Sequence, residues 1–93
     1  MADTNEPLDP VAKRRKRLRY HCWHRGTKEM DILLGRFVDA HIGAMDERQM
    51  GELEALLLLP DPDLYNWITG QAPVPDTADS ATFRLIKDFH NGT

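Results

Sequence analysis

The sequence holds a single cysteine, no glycine-rich phosphate-binding loop and no long apolar run. One cysteine cannot close an intramolecular disulfide, which excludes the bridge-stapled secreted scaffolds. The longest apolar stretch, residues 55–60, falls far short of the roughly 20 residues that a membrane-spanning helix requires. The patterns GxSxG, GxGxxG and HExxH and the P-loop are all absent, so the common hydrolase, nucleotide and zinc-protease sites have no support. Asp3, Glu6 and Asp9 are acidic where a transit peptide avoids acids, and no apolar segment follows the basic residues. The expected location is the cytoplasm, a reducing compartment. Nowhere does the chain alternate apolar and polar residues with the period of a strand.

What is present is 93 residues, 41% of them apolar and 29% charged, enough for one small domain and no more. A chain of this size buries only about 60–65% of its unfolded surface. The net charge of −3 conceals a lopsided distribution. Residues 1–25 carry seven basic side chains (Lys13, Arg14, Arg15, Lys16, Arg17, Arg19, Arg25) against three acidic ones, whereas residues 26–93 carry five against twelve. A basic head on an acidic body predicts a polarised surface and a charged macromolecular partner.

The periodicities predict an all-α, single-domain bundle of about five short helices over residues 9–93, preceded by a flexible tail over residues 1–8. Asp9 and Pro10 form a cap-then-proline start for the first helix, whose apolar stripe (Val11, Leu18, Cys22, with Tyr20 and Trp23) is sparse and ends before Gly26. Met30, Leu33, Leu34, Phe37 and Val38 mark one face of the second, which Gly43 should close. Asp46 and Gln49 read as a capping box, with Met45 and Met50 as its hydrophobic staple and Leu53, Leu56 and Leu57 as the buried stripe. The leucine run 56–59 exceeds one helical face, which leaves partial exposure or packing on the fourth helix open for Leu58 or Leu59, with the core as the expectation for the run. Asp61-Pro62 repeats the cap-then-proline start for a fourth helix carrying Leu64, Tyr65, Trp67 and Ile68, and Asp79 or Ser80 should cap a fifth with Phe83, Ile86 and Phe89 on one side.

Two clusters invite a chemical reading. His21, Cys22 and His24 have ligand chemistry, but on a helix Cys22 points about 100° away from the histidines, so no metal site is expected and Cys22 is read as core. The run Lys13–Arg19 suits a nucleic-acid helix, though the acidic remainder of the chain would repel phosphate. A nucleic-acid-binding regulator is therefore kept only as the alternative. Trp23 and Trp67 are read as packing residues rather than a ligand cage.

The segment Arg25-Gly26-Thr27-Lys28-Glu29 places opposite charges around a glycine at a helix junction, with Glu29 in the first turn of the second helix. Together with Trp23, His24, Met30, Asp31, Leu33, Leu34 and Phe37, it resembles the RGxxE region of the SdhE-like FAD assembly factors of succinate dehydrogenase. The similarity continues through residues 45–49, Leu53, Leu56 and Leu57, residues 60–65 and Trp67, and residues 85–89, covering roughly residues 16–90.

This resemblance implies a non-enzymatic, chaperone-like protein that binds the flavoprotein subunit of succinate dehydrogenase, and of fumarate reductase, and promotes covalent attachment of FAD to it. It implies that FAD belongs to the partner and that this chain holds no cofactor stably. By position, Arg25, Gly26 and Glu29 would form the partner-binding motif, with His24, Asp31 and Trp67 contributing nearby. The guanidinium of Arg25 would hold a carboxylate or backbone carbonyls of the partner, and replacing Arg25 or Glu29 by Ala would leave the fold intact. No nucleic acid, no membrane insertion and a monomeric free state complete the expectation.

Overall fold

A computed structural model describes residues 9–92; the expected tail over residues 1–8 lies outside them. Five α-helices follow in order: α1 (Pro10–Trp23), α2 (Lys28–His41), α3 (Glu47–Leu57), α4 (Asp61–Ile68) and α5 (Ala81–Asn91). Short 3₁₀ turns at Ile42–Ala44 and Asp76–Ala78 join α2 to α3 and α4 to α5.

Local caps set most of the boundaries. The Asp9 side chain accepts from the N–H groups of Val11 and Ala12, at 2.8 and 3.2 Å, with Pro10 in the first turn. The capping box of α3 is complete: Asp46 accepts from the Gln49 N–H at 2.8 Å, and Gln49 Oε1 accepts from the Asp46 N–H at 2.9 Å. Of the two candidates for α5, Ser80 is the cap, and Asp79 instead pairs with Arg84 at 3.0 Å.

The cap-then-proline reading of α4 does not hold. Pro60 occupies the cap position without a side-chain hydrogen bond, and Asp61 is already helical, its carboxylate turned toward Arg25. Nor is Gly43 a left-handed stop for α2. It lies inside the 3₁₀ turn, and among the described residues only Gly26 and Gly70 have positive φ.

The core is one layer of apolar contacts, drawn from Leu34, Phe37 and Val38 of α2, Met50, Leu53 and Leu56 of α3, Leu64 and Ile68 of α4, and Phe83 and Ile86 of α5. Burying each such side chain contributes about 1.5–3 kcal/mol. The leucine run is only partly core: Leu56 is buried, Leu57 and Leu59 are half-buried, and Leu58 at the end of α3 is 86% exposed. Four consecutive leucines span more arc than a helix of this bundle can hide.

Helix α1 buries only Leu18 and Cys22, so polar contacts supply the rest of its attachment. Arg14 grips Glu54 through two 2.8 Å hydrogen bonds, Arg15 donates to the carbonyl of Met45 at 3.2 Å, and Arg19 donates to Asp39 at 2.6 Å. The Trp23 indole N–H reaches the other oxygen of Asp39 at 3.2 Å while its ring lies on Gly35, where an added Cβ would come within 2.2 Å of the ring. Of the seven basic residues that make the head look exposed in sequence, four, counting Arg25, are thus bonded within the protein.

Candidate functional site

The junction between α1 and α2 is held from two sides. His24 ends α1, and Gly26 turns the chain at φ +116°, a conformation that L side chains rarely adopt. The N–H groups of Arg25 and Gly26 both donate to Asp31 Oδ1, at 2.5 and 3.3 Å, and the Thr27 hydroxyl caps α2 by accepting from Met30. A pair of free amides at a glycine turn beside a helix N-terminus is a ready anion cradle. Here the carboxylate of Asp31 already fills it.

The Arg25 side chain runs the other way. Its Nε and Nη2 donate to Asp61 Oδ1 at 2.9 and 2.5 Å, Nη1 donates to the Leu57 carbonyl at 2.8 Å, and Nη2 also reaches the Leu59 carbonyl at 3.3 Å. The two side chains of the ion pair are only 14% and 19% exposed. The guanidinium therefore closes the α3–α4 corner, satisfying carbonyls that the end of α3 leaves without helical partners. A free fork aimed at a partner is not what this geometry offers, and removing it cannot leave the fold untouched.

Glu29 is the opposite case. It is exposed in the first turn of α2, and no described residue donates to its carboxylate. It stands, with Tyr65, between two adjoining grooves where α2 meets α4 and α5. One, of about 380 Å³, runs over Ile32, Leu33, Arg36 and Phe89; the other, of about 360 Å³, runs over Thr27, Met30, Asp61 and Asn66. The result is an aromatic-walled trough with, at its middle, a carboxylate that no described residue pairs and, on one side, the Arg36 guanidinium. Such a surface can hold a charged, partly apolar segment of another protein.

The other candidates lie elsewhere. His24 stacks on Tyr20 with ring centroids 4.2 Å apart and its Nδ1 lies 2.8 Å from the Tyr20 carbonyl, beside a separate groove lined by Lys16, Arg19 and Trp23. Half-buried Trp67 lines a further groove with Ala55, Leu59 and Thr77. Cys22 points into the core, where burial pushes its thiol up to about 12, and His21 is exposed, so the three members of that cluster diverge. Among the described residues no group of three His, Cys, Asp or Glu could hold a metal ion, and no helix is long and apolar enough to cross a membrane.

The sequence reading missed Asp61 as the partner of Arg25 and missed the trough. Tyr65 and Phe89 show in the sequence only as members of apolar stripes, and nothing local says that they flank Glu29.

Comparisons with known proteins agree on one family. Residues 16–90 match the Sdh5 family, described as the flavinator of succinate dehydrogenase. The chain is 40% identical over 81 residues to the FAD assembly factor SdhE of Acetobacter pasteurianus, an overlap of 86% of this chain and 74% of that protein. It is 36% identical over 83 residues to the mitochondrial succinate dehydrogenase assembly factor 2 of Dictyostelium discoideum, and 38% identical over 90 residues to that of Saccharomyces cerevisiae. These overlaps cover 89% and 92% of this chain but only 59% and 54% of the two mitochondrial proteins.

Proposed function

Because the chain belongs to the family of succinate dehydrogenase flavinators, we propose that it binds the flavoprotein subunit of that enzyme and promotes covalent attachment of FAD there, in the cytoplasm. It acts as a clamp rather than a catalyst. The histidine that attacks the flavin methyl carbon, and the groups that stabilise the electron-rich flavin formed, belong to the partner. This chain raises the population of the partner arrangement in which those groups meet.

The observation that carries this reading is the carboxylate of Glu29, exposed and bonded to no described residue, on an aromatic-walled trough in the first turn of a helix whose entry is held by hydrogen bonds. Asp31 and Thr27 fix the turn, Gly26 supplies its positive φ, and Arg25 locks the neighbouring α3–α4 corner. The occupied amides of the turn leave it no means of cradling the flavin pyrophosphate, which supports assigning FAD to the partner.

The test adds FAD to the purified apo flavoprotein subunit, with and without this protein, and scores covalent flavin by in-gel fluorescence. Acceleration is expected, and its absence would falsify the proposal. Glu29→Gln should reduce the acceleration at least about tenfold, the equivalent of one lost contact of about 1.4 kcal/mol. Its melting temperature should fall by no more than about five degrees, since no described residue bonds to Glu29 and only its interaction with the helix N-terminus is lost.

A further inference from the structure

The basic run on α1 sorts into two faces. Around the helix, at about 100° per residue, Arg14, Arg15 and Arg19 flank the buried Leu18 and Cys22, and each is bonded to the body. Lys13, Lys16, Arg17, Tyr20 and His24 share the opposite face, and all five are exposed. Lys13, Lys16 and Arg17 make no hydrogen bond or ion pair with a described residue; Arg17 only lies within electrostatic reach of Glu54, which Arg14 already holds. Tyr20 is 60% exposed, with His24 stacked on one face of its ring. Three cations without a bonded partner among the described residues thus form, with Tyr20, a stripe about 10 Å long on α1, which His24 extends from just past the end of the helix.

We infer that this outward face of α1 is a second docking surface, complementary to an acidic patch on the protein partner and separate from the Glu29 trough. The inference rests on the flavoprotein reading for the identity of that partner. Charge complementarity selects the occupant. Three exposed cations are too few to hold nucleic acid strongly through phosphate contacts, and the arginines that would have extended the set are bonded inward. An anionic lipid surface is held by an inserted apolar face or by a cluster of roughly four to eight cations; the apolar face of α1 is buried and its outward face carries three. An acidic protein surface needs only local complementarity, which acts chiefly on the rate of encounter.

The test measures association and dissociation rates on the immobilised flavoprotein subunit, at about 20 mM and about 300 mM salt. Four proteins are compared: wild type, Lys16→Glu/Arg17→Glu, Glu29→Gln, and Arg48→Glu/Lys87→Glu, which makes the same change in net charge on α3 and α5. Circular dichroism checks that each is folded. Lys16→Glu/Arg17→Glu should slow association about tenfold or more at low salt, with the difference shrinking at high salt, while Glu29→Gln mainly speeds dissociation. The Arg48/Lys87 control should change the association rate by less than about threefold.

An unchanged association rate for Lys16→Glu/Arg17→Glu alongside weakened binding by Glu29→Gln overturns the second surface and leaves the flavoprotein reading standing. Equal slowing by the Arg48/Lys87 control also overturns it, by assigning the effect to net charge. Wild-type protein that does not bind the subunit at all sinks the flavoprotein reading and this surface with it. Tighter binding to a random 20-nucleotide strand than to the subunit, lost in Lys16→Glu/Arg17→Glu, assigns the stripe to phosphate and refutes the inference.

Discussion

Arg25 and Glu29, four positions apart, have opposite employment. The side-chain nitrogens of Arg25 all go to Asp61 and two carbonyls, whereas no described residue bonds to Glu29. Variants of the two should separate stability from docking. Arg25→Ala leaves a half-buried carboxylate and two carbonyls without their donor and should cost about 2–3 kcal/mol in urea unfolding, discounted from a fully buried pair for its residual exposure. Arg25→Lys should recover less than half of that, because an ammonium cannot span a carboxylate and two carbonyls with one planar fork. An Arg25→Ala protein as stable as the wild type would return Arg25 to the docking surface. The charge alternation around Gly26 was legible from sequence, as was the need for glycine. The destination of the guanidinium was not, because Asp61 lies 36 residues away and reads locally as a helix cap.

At the scale of elements, what was legible was what is local. Asp9-Pro10, the Asp46–Gln49 box and the α2 stripe involve residues within one or two turns of each other, and the structure has them as read. The sparse stripe of α1 gave no account of how that helix stays attached, since the acids that hold it sit in α2 and α3. The packing of Trp23 on α2 depends on Gly35, a residue with no sequence pattern to mark it. A Cβ there would come within 2.2–2.5 Å of the Trp23 ring. Gly35→Ala should therefore destabilise by about 1–3 kcal/mol, despite the better helix propensity of alanine. Combining it with Trp23→Leu should recover part of the loss, read as a coupling in a double-mutant cycle of melting temperatures; strict additivity would mean that the two do not meet.

For the molecule as a whole, the polarity of the sequence turns inward. Three cations of the basic head pair with acids of the body, and two further carboxyls are held within the body, which makes stability depend on pH. The guanidinium of Arg19 beside Asp39, that of Arg14 beside Glu54, that of Arg84 beside Asp79, and the hydroxyl and N–H of Thr82 on Glu52 hold these four carboxyls below their ordinary values. A carboxyl depressed in the folded state stabilises fully above its unfolded value, near pH 4, and loses that contribution as pH falls through the folded one. The melting temperature should be flat from about pH 8 to 5 and fall steadily below about pH 4.5, more shallowly in Arg19→Ala. At the other extreme, the unfolded thiol of Cys22 ionises near pH 9 while the buried one does not, so stability should decline above about pH 9. A melting temperature that does not change between pH 6 and pH 3 would show that the interlocking pairs contribute nothing.

The same interlock imposes an order in time. The acids that hold α1 lie 20 and 40 residues further along the chain, and Arg25 at its end waits for a residue 36 positions on. A growing chain therefore exposes all seven cations before any of the three acids that pair with them has been made. Arg19 finds Asp39 first, and only when Asp61 has emerged does the α1–α2 junction gain its last support. Before Asp39 is made, the seven cations of residues 1–25 outnumber the three acids of that segment, and the three cations that stay outside once folding is complete are the remnant of that excess.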